Sequence, residues 1–423
     1  MSAVAAAINN RSCVKDADRI SNLPLDSTHK ILQRLPLKEA AKTSVLSQHW
    51  RFQWASNQQL ILDESFCKSI QEGRNESADI SLIYSNVVNK IILSHVGPIS
   101  KFVLYVPSWF PGETYIWIRC VCAHDVKELT LVFAPPLLKN LPTCLFSCSG
   151  LTHSTLKRFK LLSLPPTFTG FPCLIHLEIE ANRFECIDAK MLESCISRCP
   201  QLESLHLMIY EPVNNLTILA PKLKDLLVRG CLNSLCIKGA MPTIKSVVLD
   251  SGLYHSDSMN KIISSLASVE MLVLGTFVWQ YFHRYNPPRN FPIKFGQLRT
   301  LNIVDIYLHT QSQFSFVLYL FASSPKLERL SIQVKETKNG NDAQIKRSFI
   351  FESLRKVKLS RISGWRNELQ LLEYILAHSP VLEEMTIELS TNIAGAEEKF
   401  NFATEAMRYR RSSPNAELKI KTK

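Results

Sequence analysis

The chain has 423 residues, more than one ordinary hydrophobic core holds, so several domains or a repeat array are expected. Its hydrophobic fraction of 46% is that of a folded protein, and no apolar run reaches the roughly 18 residues that span a bilayer, so we expect a soluble, unsecreted chain without a membrane segment. The net charge of +12 is spread along the chain, which favours solvated faces over a nucleic-acid site.

The sequence contains no recognisable catalytic or metal-binding motif. The nucleophile elbow, the P-loop and the zinc-protease pattern are missing, and the 13 glycines form no phosphate-binding loop. Cys120, Cys122 and His124 form the tightest group of metal-ligand types, but their spacing does not match a zinc site. The 12 cysteines lie mostly among apolar neighbours and are interpreted as reduced core residues. We therefore predict no catalytic residue, no metal and no cofactor.

The prolines and the apolar spacing in residues 18–54 predict three short helices. The first follows Leu23 and Pro24, with Asp26 or Ser27 as its expected cap, and Pro36 ends it. The apolar positions of the three helices are Ile31, Leu32 and Leu35, then Ala40, Ala41 and Val45, then Leu46, Trp50 and Trp54, the last three spaced four apart. Because about 40 residues are near the lower limit for independent folding, an exposed apolar surface that binds a partner is expected.

Most of the remaining chain repeats the pattern L-x-x-L-x-L. Alternate apolar residues in such a pattern face one side of a short strand, and stacked copies bury that side as a parallel sheet. The clearest copies begin at Leu174, Leu202, Leu223, Ile244, Val269, Leu298, Leu327, Leu354 and Leu382, and weaker copies are Ile99/Phe102/Leu104, Val126/Leu129/Leu131 and Leu156/Phe159/Leu161. The pattern predicts a leucine-rich-repeat array.

Helical return segments are predicted at 189–197, 314–322 and 369–377, where apolar residues recur at helical spacing. Each is followed by a proline that opens the next repeat: Pro200, Pro325 and Pro380. Proline cannot continue a helix, so it separates helix from strand in the same order each time. The strings SPKLERLSI at 324–332 and SPVLEEMTI at 379–387 are close copies of one another.

Two aromatic-rich segments, 106–118 and 276–296, interrupt the repeats. Aromatic residues and arginine are typical of binding hot spots, and the second segment supplies the candidate target-binding residues Trp279, Tyr281, His283, Arg284 and Tyr285. The alternative for both segments is that the aromatic side chains cover the helical side of the repeats.

Several strings resemble the plant family that joins an F-box to leucine-rich repeats and a C-terminal FBD domain. The F-box resemblance rests on DRISNLP at 18–24, ILQRLP at 31–36, KEA at 38–40, TSVLS at 43–47, WR at 50–51 and Trp54. GPISKF at 97–102 and VKELTL at 126–131 are similar to the first repeats of that family. LRKV at 354–357, the string at 379–387 and SSPNAE at 412–417 are similar to its FBD segment.

The resemblance implies a substrate-recognition subunit of an SCF-type ubiquitin ligase. An F-box binds a Skp-type adaptor, which links through a cullin to a RING subunit, while the repeats hold a target protein of unknown identity. The adaptor contacts carried over from the family are Leu23, Pro24, Ile31, Leu32, Pro36, Val45, Leu46 and Trp50. The chain departs from the family at Ser27 and Thr28, where two aliphatic residues are usual. This departure leaves an alternative open, a leucine-rich-repeat scaffold or inhibitor that works without ubiquitin.

The fold expected from these features is an α/β repeat fold, with a three-helix F-box before a curved leucine-rich-repeat solenoid of parallel sheet and outer helices. The domain limits are a tail at 1–15, the F-box at 16–60, a polar linker at 61–80, the solenoid at 81–350 and FBD-like repeats with a cap at 351–423. The resemblance implies residence in the nucleus or the cytoplasm and a non-catalytic role. The lack of a long apolar run argues against a membrane partner, and the diffuse distribution of basic residues makes a nucleic-acid partner unlikely.

Overall fold

The structure is a computed structural model, and it describes residues 23–72, 78–110, 112, 114–135, 139–160, 163–181, 188–232, 235–237, 243–251, 262, 265–279, 294–335, 349–393 and 395–421. The chain divides into two compact units. The first holds the residues up to Tyr105 together with Trp109–Val126, and the second holds Val106–Ser108 together with Lys127–Lys423.

The first unit is mainly helical. Its elements are the helices α1 Leu25–Leu32, α2 Leu37–Lys42, α3 Glu64–Gln71, α4 Ala78–Ser94 and α5 Tyr115–Cys122, 3-10 turns at Thr43–Val45 and Trp50–Ser56, and the strands β1 Gln59–Leu62 and β2 Lys101–Val106. The two strands pair in parallel, with Leu60 beside Phe102 and Leu62 beside Leu104. All four of these side chains are buried.

Prolines set the start of both N-terminal helices. The carbonyl of Pro24 accepts from the backbone N–H groups of Ser27 and Thr28 at 2.9 and 3.0 Å, and Pro36 begins α2 in the same way. No side chain caps α1, so the predicted cap at Asp26 or Ser27 is wrong. The extended backbone of the proline places its own carbonyl at the helix start, which satisfies N–H groups that a side-chain cap would otherwise bind.

The segment 61–80, predicted as a polar linker, is partly helical among the residues that the structure describes there. Asp63 accepts a hydrogen bond from the backbone N–H of Phe66 at 2.9 Å and caps α3, which buries Cys67 and Ile70. Helix α4 begins at Ala78. The polar side chains of this stretch occupy the outer side of α3, and its apolar spacing, rather than its composition, determines the structure.

Three of the four aromatic residues of the segment 106–118, Trp109, Phe110 and Trp117, pack in the core of the first unit, whereas Tyr115 is 40% exposed. Tyr84 of α4 makes edge contacts with Trp109, Phe110 and Trp117, with ring centroids 5.3 to 5.9 Å apart. The Tyr84 hydroxyl donates to the carbonyl of Tyr105 at 2.7 Å. These contacts support the alternative interpretation of this segment, in which its aromatic side chains cover helices rather than bind a partner.

The second unit is a parallel array of strands. Its strands are β3 Glu128–Phe133, β4 Lys139–Asn140, β5 His153–Lys157, β6 Phe159–Lys160, β7 His176–Ala181, β8 Ser204–Val213, β9 Leu216–Ile218, β10 Asp225–Leu232, β11 Leu235–Ile237, β12 Ser246–Ser251, β13 Met271–Leu274, β14 Thr300–Ile306, β15 Arg329–Val334, β16 Lys356–Ile362, β17 Glu384–Leu389 and β18 Glu417–Lys421. Its helices are α6 Ala189–Ser197, α7 Gln311–Ala322, α8 Arg366–His378 and α9 Ala396–Arg408, and Thr143–Ser147 forms a 3-10 turn.

The main sheet of the second unit follows chain order from β3 through β5, β7, β8, β10 and β12 to β18, while β4 pairs with β6 and β9 with β11. Equivalent positions of the repeat face each other across neighbouring strands. Leu226, for example, lies beside Leu205 on one side and Val247 on the other. The inward residues of these strands are almost all aliphatic and buried, so each strand completes the core of its neighbour. The α/β repeat prediction is thereby confirmed.

The sequence predicts one weak copy of the repeat, Leu156/Phe159/Leu161, in the wrong register. Leu156 pairs with Leu131 on one side and Ile179 on the other, which makes it the last apolar position of its repeat and not the first. The middle position is Ser154, which is buried in the place of an aliphatic residue. Because serine is polar, the sequence pattern does not show this repeat in its true register. The predicted copy Leu156/Phe159/Leu161 is therefore wrong.

A glycine permits the close approach of β8 and β10. Gly230 lies where the register between these strands shifts, and its φ of 113° is one that other residues rarely adopt. A Cβ atom built on Gly230 would lie 1.9 Å from the carbonyl oxygen of Ile209. Both the backbone angle and the available space therefore require glycine at this position.

We expect Gly230→Ala to lower the free energy of unfolding of the second unit by at least about 2 kcal/mol, because it adds backbone strain and a steric clash. Chemical denaturation of the full chain would measure this change. The matched control is Gly296→Ala, where an added Cβ meets no atom within 4 Å. A Gly230→Ala chain as stable as the control would contradict this account of the β8–β10 bulge.

Candidate functional site

The N-terminal helical head, residues 23–56, packs around a small core. Leu32, Ala40 and Trp50 form its buried centre, and Leu23, Leu35 and Trp54 pack against that centre while partly buried. Of the eight predicted adaptor contacts, Leu32 and Trp50 are therefore core residues, because the head needs an apolar centre of its own. Leu23 is partly core as well.

The other five predicted adaptor contacts lie on the surface of the head. Pro24 and Pro36 are exposed. The exposed fraction is 42% for Ile31, 87% for Val45 and 58% for Leu46. The third predicted helix does not include Leu46: it is a 3-10 turn at Trp50–Ser56, so Leu46 and Trp50 do not share one helical face. The separation into a buried and an exposed set is what a docking surface requires.

Two further apolar side chains on the head were missed by the sequence analysis. Leu25 is 55% exposed at the start of α1, and Phe52 is 71% exposed in the 3-10 turn. The guanidinium of Arg51 lies 5.6 Å from the centre of the Phe52 ring. Phe52 falls between Trp50 and Trp54 in sequence, and only the geometry of the turn shows that it points outward while Trp50 points inward.

The departure at Ser27 and Thr28 affects the interior of the head more than its surface. Thr28 is completely buried, and its hydroxyl lies 3.4 Å from the carbonyl oxygen of Pro24. Ser27 is half-buried. A threonine in this position is part of the core, and its buried hydroxyl needs a hydrogen-bond partner. The departure from the family therefore lowers the stability of the head's packing before it affects the adaptor surface.

The second candidate site was the aromatic segment after β13. Trp279 is completely buried, and its indole N–H donates to the carbonyl of Val304 at 2.8 Å. The side-chain amide of the buried Gln313 in turn donates to the carbonyl of Trp279 at 2.8 Å. Trp279 is therefore a core residue and cannot contact a target, which corrects the prediction. Tyr281, His283, Arg284 and Tyr285 lie outside the described residues.

The outward face of the main sheet is polar, in contrast to its aliphatic inner side. Ion pairs join neighbouring strands across it, as between Lys157 and Glu178 at 2.6 Å and between Lys358 and Glu388 at 2.8 Å. Ion pairs that keep contact with solvent, as these do, each contribute about 1 kcal/mol or less to stability. The face therefore offers hydrogen-bonding and charged groups for recognition, with little effect on the fold.

An aspartate connects several repeats on this unit. Asp305 sits at the register shift in β14 with a φ of 56°, and Arg361 occupies the same kind of position in β16 with a φ of 60°. The Asp305 carboxylate accepts from Arg361 Nη1 at 2.9 Å, from Gln333 Nε2 at 2.8 Å and from Thr276 Oγ1 at 3.0 Å. These bonds tie the ends of separate strands together.

A group of potential metal ligands lies near the other end of the sheet. His176 and Glu178 of β7 and His206 of β8 each offer one ligand atom, and these atoms lie within 4.8 Å of one another. The residues are 28 or more positions apart across the two strands, and only the register of the sheet brings them together. Sequence spacing could not have identified this group.

Within the part of the chain that the structure describes, no helix is both long and apolar enough to cross a membrane.

Comparison with known proteins identifies three domain models along the chain. The F-box domain model matches residues 20–61. The model described as FBD-associated F-box protein At5g56370, LRR repeats, matches residues 115–277, and the FBD model matches residues 350–387. The exposed and buried residues of the N-terminal head thus lie within the F-box match, and β16, α8 and most of β17 lie within the FBD match.

Curated relatives have the same organisation. F-box/FBD/LRR-repeat protein At1g13570 of Arabidopsis thaliana is 29% identical over 95% of this chain and 98% of its own length. F-box/FBD/LRR-repeat protein At1g78750 of the same plant is 25% identical over 90% of this chain and 91% of its own length. The helical head, the parallel repeats and these matches together show that the chain belongs to the plant F-box proteins that carry leucine-rich repeats and an FBD domain.

Proposed function

We propose that the chain is the substrate-recognition subunit of an SCF-type ubiquitin ligase. Its F-box would bind a Skp-type adaptor, and through it a cullin and a RING subunit, while the repeats hold a target protein. The observation that carries this proposal is the exposure of Val45, Leu46 and Phe52 on a head whose core is already complete. We place this role in the nucleus or the cytoplasm, as the family implies.

The physical reason for docking is the cost of leaving these side chains in water. Burial of a large apolar side chain contributes roughly 1.5 to 3 kcal/mol. Scattered apolar residues are normal on a surface, but a small head with several of them, in a fold family that binds adaptors, is best explained by a partner. Ile31 and Leu25 on α1 would add to the same contact area.

The mechanism is proximity and involves no bond chemistry by this chain. Holding a target in the same complex as the ubiquitin-charged enzyme raises the effective concentration of the target's lysines. Two buried cysteines are unsuited to nucleophilic chemistry. Burial raises the pKa of Cys67 to about 12. The hydrogen-bonded neighbour Cys199 and burial raise the pKa of Cys195. Both thiols stay protonated at neutral pH and are poor nucleophiles.

The target would be held by the polar outer face of the repeats and by the segment after Trp279. Tyr281, His283, Arg284 and Tyr285 remain target-binding candidates, because aromatic residues and arginine dominate binding energy at protein interfaces. Trp279 would contribute indirectly, since its buried position anchors the start of that segment to α7 and β14.

The adaptor contact can be tested with the double substitution Val45→Glu and Leu46→Glu. We expect it to weaken binding to a purified Skp-type adaptor by more than about 100-fold, because two apolar contacts are lost and two charges are buried. Calorimetry or surface plasmon resonance would measure the affinity. Because both side chains are exposed, the melting temperature should remain that of the parent chain.

Two controls separate docking from folding. Leu93→Glu changes an apolar side chain that is 78% exposed elsewhere in the first unit and should bind the adaptor normally. Leu32→Ala removes a core side chain and should destabilise the head by about 2–5 kcal/mol. Normal adaptor binding by the Val45 and Leu46 variant would sink the docking assignment, and a parent chain that binds no adaptor at all would favour the scaffold alternative.

Target capture can be tested with the triple substitution Tyr281→Ala, Arg284→Ala and Tyr285→Ala. Affinity purification from cells treated with a proteasome inhibitor should then recover the adaptor at parental levels but lose the proteins that the parent chain enriches. Phe400→Ala on α9, where the side chain is 70% exposed, is the matched control for loss of a surface aromatic. Unchanged recovery of those proteins with the triple variant would show that this segment does not hold the target.

A further inference from the structure

The sheet register places three metal-ligand side chains on one small area of the outer face. Strands β7 and β8 are parallel neighbours, with His176 opposite Ser204 and Glu178 opposite His206. Leu177 and Ile179, which alternate with the β7 pair, are buried in the core. Because side chains alternate along a strand, His176, Glu178 and His206 all point away from that core.

The three side chains are close enough to share an ion after small rotations. The ring centroids of His176 and His206 lie 4.9 Å apart at an interplanar angle of 89°, so the two imidazoles approach edge to face without stacking. The ligand atoms of the three residues lie within 4.8 Å of one another, and all three residues are partly exposed. The area is therefore open to an ion arriving from solvent.

We propose that His176, Glu178 and His206 form a binding site for Zn²⁺ with one coordination position open to solvent. Two imidazoles and one carboxylate are a ligand set that zinc commonly takes, with a fourth position for water or another donor. Magnesium and calcium prefer sites made of oxygen ligands, so the two histidines favour zinc over these ions. This site does not depend on the ligase role.

Ser204 orients one of the two imidazoles. Its hydroxyl lies 3.0 Å from Nδ1 of His176, which leaves Nε2 of that ring for the metal. The same hydroxyl is 3.5 Å from Nε2 of His206, too long for a strong hydrogen bond. A hydrogen bond to the second ring nitrogen is the usual way in which proteins fix the direction of a zinc-bound histidine. Ser204 is thus a positioning residue for this site.

A metal ion at this site would compete with Lys157 for the carboxylate of Glu178. Lys157 Nζ lies 2.6 Å from Glu178 and 3.6 Å from Glu180, and Arg158 also pairs with Glu180. Lys157 can therefore keep an acidic partner in Glu180 when Glu178 turns to a metal.

The test uses the full chain without a polyhistidine tag, titrated with Zn²⁺ in calorimetry and with Co²⁺ in absorption spectroscopy. We expect one tightly bound equivalent of Zn²⁺. The Co²⁺ complex should show ligand-field bands without the intense near-ultraviolet band of cobalt bound to thiolate. That spectrum separates the proposed site from capture of metal by any of the 12 cysteines.

His176→Ala and His206→Ala should each weaken Zn²⁺ binding at least about 100-fold, since loss of even a supporting hydrogen bond costs 10- to 100-fold. Glu178→Gln should weaken it as well, and the melting temperatures of the metal-free variants should match the parent. His153→Ala is the matched control, because His153 lies beside His176 with ring centroids 6.1 Å apart but outside the ligand group. Parental binding by both histidine variants, equal weakening by His153→Ala, or a thiolate spectrum would overturn the proposal.

Discussion

The second unit depends on one constraint, which is that no strand of a repeat can bury its own apolar face. Most strands of the main sheet carry two or three inward aliphatic side chains, and the equivalent side chains of the neighbouring strands shield them from water. Leu205, Leu226 and Val247 illustrate the pattern, since consecutive strands place them side by side in the core. Stability is then a sum of contacts between neighbours, and insertions between repeats are tolerated wherever they leave the strand positions unchanged.

The helical head differs from the repeats, because it buries its core without help from a neighbouring copy. Its core is small and is complete with a few residues around Leu32, Ala40 and Trp50, yet Val45 and Phe52 stay in water. A bundle of this size has little apolar surface to spare, so exposed side chains of this kind reduce its solubility unless a partner covers them. The repeats gain stability from copies of themselves, whereas in the proposed function the head would gain further apolar contacts from another protein. This difference is the physical basis of the proposed adaptor role.

The sequence was sufficient for the architecture because the repeat pattern is periodic and the periodicity reports directly on burial. It was insufficient wherever a side chain's neighbours come from distant residues. Trp279 looked like a binding residue by composition, but Val304 and Gln313 enclose it. Ser154 hid one repeat, because a buried serine in an aliphatic position breaks the pattern without breaking the strand. Ion pairs and the histidine group on the sheet depend on register, which a single sequence does not display.

The proposed function requires that the F-box head, and not the repeat sheet, bind the adaptor. Hydrogen–deuterium exchange of the full chain with and without a purified Skp-type adaptor tests this most directly. Adaptor binding at the head should slow the exchange of backbone amides around α1, α2 and the 3-10 turns up to Ser56 and leave the amides of the main sheet unchanged. Slower exchange confined to the strands of the second unit, with none in the head, would contradict it.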